Sequence, residues 1–100
     1  MQKWIYALPL LALAWGHQVK AADIEAGKAK ATVCAACHGV EGKATVPVYP
    51  HLAGQNAAYL LKQMKAFKEG SRTEPLMAPF MAMLNEADME NLAAYYASLK

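Results

Sequence analysis

Apolar and polar positions change register several times along the chain, and each change marks an element. Trp4 to Trp15 is an apolar run, interrupted by Pro9, behind Met1-Gln2-Lys3. Between Asp23 and Cys34, the residues Ile24, Gly27, Ala31 and Cys34 recur at spacings of three and four, which predicts one face of a helix. Asp23 can cap it, and Glu25 sits in its positively polarised first turn. Gly27 costs about 1 kcal/mol relative to alanine inside a helix, so its presence suggests a close crossing by another helix. From Asn56 to Glu69, Leu60, Met64 and Phe67 form a second stripe, widened by Leu61 and closed by Gly70. Lys62, Lys65 and Lys68 share its opposite side, with Arg72 just beyond. A third helix is expected from Asn85 to Lys100, with Met89, Leu92, Ala93, Tyr96 and Leu99 buried, Asn85 as cap and Asp88 three residues on. Tyr95 and Tyr96 are adjacent, so only one is expected to point fully inward, where it can meet Gly27. No segment is strand-rich, and the expected fold class is all-α with three main helices.

The connections are set by glycine and proline. Gly39 to Lys43 is a glycine-bounded turn, and Pro47 and Pro50 then impose extended chain. Ser71 to Leu84 has no clean period. It is broken by Pro75 and Pro79 and carries Met77, Met81 and Met83. Met77 lies between the two prolines, in chain expected to be extended, where a side chain can be aimed inward.

Composition changes the picture at the amino terminus. A short positive start, an apolar run shorter than the roughly 20 residues of a spanning helix, and Val19-Lys20-Ala21 together read as a secretory signal peptide. Residues 1–21 would be removed by cleavage between Ala21 and Ala22, an uncleaved membrane anchor being the alternative. Loss of Lys3 and Lys20 reduces ten basic residues to eight, against eight acidic ones. The basic character of the whole chain is then gone, and no basic stripe with interleaved aromatics points to nucleic acid. Residues 22–100 would form a single domain, small enough to need a staple.

Cys34-Ala35-Ala36-Cys37-His38 supplies that staple. It holds the only two cysteines of the chain, two residues apart, with a histidine directly after the second. This is the pattern of a c-type haem attachment site, in which two thiols add to the vinyl groups and the imidazole falls under the iron. A thioredoxin-type motif would need a βαβ surround. Structural zinc would need four ligands, and a disulfide across so short a loop would constrain little chain. Cys34 and Cys37 are thus the expected tethers and His38 the expected proximal ligand. A ligating imidazole donates its other N–H to a fixed acceptor, for which the Pro47 carbonyl is the candidate. His51, in the same proline loop, reads as an ordinary surface histidine. Methionines are usually core fillers, yet a six-coordinate iron needs a distal ligand, and Met77 is the expected one, with Met81 the runner-up.

The stretches GKAKATVCAACHGVEGK, PVYPHLAGQ, YLLKQMKAFKEGSRT and LNEADMENLAAYYASLK follow one another in the order of class I cytochromes c. The chain resembles the small bacterial periplasmic members, and in particular one half of the dihaem cytochrome c4 type. It departs from that type in ending after one domain. The resemblance implies a small class I cytochrome c fold around one covalently attached haem c, with His38 and Met77 on the metal and the Pro47 carbonyl behind His38. It implies a periplasmic electron carrier, not an enzyme, working with transient redox protein partners and without stable membrane insertion. A haem subunit of a larger periplasmic dehydrogenase is the alternative, and a sensor or peroxidase with an open distal site is a more remote one.

Overall fold

The computed structural model describes residues 21–100, so the leader expected over residues 1–21 lies outside them except for its last residue. Among the described residues the secondary structure is helical, in the order α1 (Ile24–Lys30), a 3₁₀ turn (Ala31–Val33), α2 (Ala35–His38), α3 (Ala57–Glu69), α4 (Ala78–Ala82) and α5 (Glu86–Ser98). The three helices expected from the sequence correspond to α1 with its continuation, α3 and α5.

Their ends follow the capping chemistry of the sequence. Asp23 accepts from the Ala26 amide, Asn56 from Tyr59, and Asn85 from Asp88, whose carboxylate accepts in return from the Asn85 amide. Gly70 closes α3 at a φ of 88°, in the left-handed region that glycine adopts without strain.

α5 packs against α1 and α3, and α3 also packs against α4. The core is formed by Ala31, Leu60, Met81, Leu84, Met89, Leu92, Ala93, Tyr95 and Tyr96. The α1–α5 crossing is tight because Gly27 is there: a Cβ on Gly27 would lie 2.0 Å from the Asn91 carbonyl oxygen and 2.9 Å from the Tyr95 Cβ. Asn91 also fastens the crossing through its side chain, which accepts from the Asp23 amide at 2.8 Å.

Two expectations are corrected. Tyr95 and Tyr96 are both buried, at 7% and 4% exposure, because α5 is covered on more than one side. The Tyr95 Cβ faces Gly27, whereas the Tyr96 ring edge faces Gly42, and the two rings lie 5.1 Å apart at 55°. The segment around Met77 is also not extended. Met77 has helical backbone angles and caps α4, in which Pro79 is the second residue. The first turn of a helix tolerates proline because its amides have no partner within the helix.

Candidate functional site: a c-type haem attachment turn

The 3₁₀ turn after α1 brings the chain to Cys34, whose carbonyl accepts from the Cys37 amide at 3.3 Å and the His38 amide at 2.9 Å. Cys34, Cys37 and His38 therefore share one helical turn, at i, i+3 and i+4, on adjoining parts of one helix surface. The two cysteines are not paired with each other; Cys34 is half-buried and Cys37 exposed. Burial raises the Cys34 thiol above its ordinary value, while the facing Tyr96 hydroxyl pulls it down. Gly39 ends the turn at a φ of 88°, and a Cβ there would lie 2.1 Å from the Lys43 carbonyl oxygen.

The loop that follows is folded onto this turn. The Leu52 and Ala53 amides both donate to the Gly42 carbonyl, at 2.7 and 3.0 Å, and the Gly54 amide donates to the Tyr96 carbonyl of α5 at 2.9 Å. The result is a carbonyl under the histidine: His38 is buried, and its Nδ1 lies 2.8 Å from the Pro50 oxygen. This corrects the expectation of Pro47 as acceptor. The Tyr49 amide bonds to the Val46 carbonyl at 3.0 Å, so Pro47 occupies the first central position of a turn. That turn carries the chain three residues further before it passes His38. Val-Pro at a turn start is a signal that the extended reading of both prolines overlooked. His51 is exposed as expected, yet its Nδ1 accepts from the Ala44 amide at 2.8 Å and so ties the loop together.

The three loop methionines separate clearly. Met81 is a core residue at 2% exposure, Met83 is 66% exposed, and Met77 is half-buried against the core at the start of α4. Met77 is therefore the loop thioether that neither fills the core nor faces solvent outright. Cys34 and Met77 border the same core, as do Leu61, Met64 and Phe67 of α3, which are only half covered by polypeptide.

The basic row of α3 is not a free patch. Lys65 pairs with Glu86 at 2.7 Å, and Lys68 bonds to the Met81 and Leu84 carbonyls. Arg72 bonds to Gln63 and lies over the Phe67 ring.

These residues fit a haem. The thiols stand one turn apart, an imidazole adjoins them with Nδ1 already engaged and Nε2 left for a metal, and a thioether and an apolar helix face border the same core. No group of three or more His, Cys, Asp or Glu side chains suited to a metal ion occurs among the described residues. Two thiols, an imidazole and a thioether are the donor set that a covalently attached porphyrin iron takes.

Comparison with known proteins gives the same result. The cytochrome c family model matches residues 24–100. Cytochrome c4 of Pseudomonas aeruginosa is 44% identical over 100 residues, all of this chain and 50% of that protein. Cytochrome c-554(548) of Halomonas halodenitrificans is 42% identical over 81 residues, covering 78% of this chain and 98% of that one. In the crystal structure of reduced cytochrome c4 from Pseudomonas stutzeri, the likeness has a TM-score of 0.76 at 43% identity over 80% of this chain and 47% of that chain. The chain thus spans about half the length of the cytochromes c4 it matches. It belongs to the cytochrome c family, with the class I fold, and covalently bound haem c is its cofactor.

Proposed function

We propose that this chain is a one-electron carrier with a single haem c, tethered at Cys34 and Cys37 and ligated by His38 and Met77. The haem supplies a ferric/ferrous couple; the rest follows from what the side chains around it do. Cys34 and Cys37 fix the macrocycle by two covalent bonds on one helical turn. The His38 Nδ1–H donates to the Pro50 carbonyl, which sets the tautomer, orients the ring and directs Nε2 to the metal. Met77, at the start of α4, would supply the second side-chain ligand, and Met/His ligation raises the reduction potential. Leu61, Met64 and Phe67 offer an apolar wall that keeps water away.

With His38 and Met77 both on the iron, the haem would offer no site to a substrate and would supply outer-sphere electron transfer in place of catalysis. The observation that carries this reading is the 2.8 Å contact from His38 Nδ1 to the Pro50 oxygen, in the same turn as the only two thiols. Partners would be redox proteins meeting the chain through a small, transient interface of under about 1,200 Å². The site of action is the periplasm, reached through cleavage of residues 1–21. No helix among the described residues is long and apolar enough to cross a membrane.

Carbon monoxide tests the closed iron. The ferrous parent should bind it slowly or not at all, and Met77→Ala should bind it readily. Rapid binding by the parent would overturn the carrier reading in favour of an open distal site.

A further inference from the structure

The helix that Met77 starts packs on α3 and is also hydrogen-bonded to it through the side chain of Lys68. Lys68, near the end of α3, donates its Nζ to the carbonyls of Met81 (3.4 Å) and Leu84. These carbonyls lie at the end of α4 and just beyond it, where carbonyl oxygens point along the helix axis and favour a cation; the Met81 oxygen also accepts from the Leu84 amide at 3.1 Å. α4 is a short rigid piece: the Met77 carbonyl accepts from the Phe80 and Met81 amides, both at 3.1 Å. Lys68 therefore grips one end of a five-residue helix whose other end is capped by Met77. Lys65, one turn earlier, pairs instead with Glu86 at the start of α5 at 2.7 Å.

We propose that Lys68 is a positioning residue for the axial thioether. By clamping the carboxyl end of α4 to α3, it holds Met77 against the iron and resists exchange of that ligand. The proposal rests on the reading of Met77 as axial ligand. Its function is mechanical, through α4, and not as a docking charge.

Imidazole competition in the ferric holoprotein tests it, because imidazole binds only after the thioether leaves. Lys68→Met should raise the apparent imidazole affinity about tenfold, as expected for loss of a charge-assisted hydrogen bond. Lys68→Arg should stay near the parent. Lys65→Met makes the same charge change at a lysine paired with α5 and should also stay near the parent. An imidazole affinity unchanged in Lys68→Met, or raised equally in Lys65→Met, overturns the proposal. Should Lys68→Met fail to accumulate as folded haem protein, Lys68→Gln serves in its place. A smaller rise in the same direction supports the proposal, and a parental affinity refutes it. The sulfur-to-iron charge-transfer band separates the two readings. Its persistence in Met77→Ala removes Met77 as ligand, whereas its loss there, with parental affinity in Lys68→Met, removes only the role of Lys68.

Discussion

His38 illustrates how far single residues can be read from sequence. Its place after Cys37 is sufficient to make it a ligand candidate, because spacing along a helical turn is a local property. The carbonyl that orients it is not local. It depends on how the loop of residues 39–56 closes through Gly42, Leu52 and Ala53, so the contact falls on Pro50 and not Pro47. Tyr96 shows the same limit. Its burial follows from the α5 stripe, but its position facing Cys34 and Gly42 depends on loop packing. Burial is the main cause that raises the Tyr96 hydroxyl far above the usual tyrosine value. A raised pKa in the fold means that the neutral hydroxyl stabilises fully below the ordinary value near 10 and that this contribution is lost as pH climbs beyond it. Denaturant unfolding of the ferric holoprotein should therefore show stability falling at strongly alkaline pH. Tyr96→Phe should flatten that fall and change neutral-pH stability by no more than about 1 kcal/mol.

At the scale of elements, helices with complete signals were legible and the short one was not. α5 has cap, capping partner and stripe written in sequence; cap and partner are found, and Met89, Leu92, Ala93 and Tyr96 are buried, whereas Leu99 is half-buried beyond the helix end. α4 was hidden because Pro75 before it and Pro79 within it look like breakers, although a proline in the first turn is compatible with helix. Gly27 is where propensity and packing oppose each other most directly. On propensity alone, Gly27→Ala would stabilise α1 by about 1 kcal/mol. The Asn91 carbonyl at 2.0 Å from the new Cβ is backbone and cannot rotate away, so α1 and α5 must separate. The net expectation is a loss of about 1–3 kcal/mol in chemical denaturation followed by circular dichroism. A gain would mean that the crossing is looser than described.

For the whole molecule, haem, helices and export belong to one argument. A domain of this size gains much of its core from the cofactor, and the proposed export would place its thiols where haem, in place of a disulfide, consumes them. Protein recovered from the periplasm should start at Ala22 and carry the mass of one haem, as read by intact mass spectrometry. A mature chain without that mass would end the account. The near balance of acidic and basic residues in that chain, and the structural use of Lys65, Lys68 and Arg72, leave little of the α3 basic row for steering a partner.

The central claim is that Met77 closes the iron that CAACH tethers. The most direct measurement is the far-red absorption of the ferric protein, where a thioether on iron gives a weak sulfur-to-iron charge-transfer band. The band should be present in the parent, absent in Met77→Ala, and retained in Met81→Ala and Met83→Ala. A parent without the band, or a Met77→Ala protein that keeps it, would contradict the account.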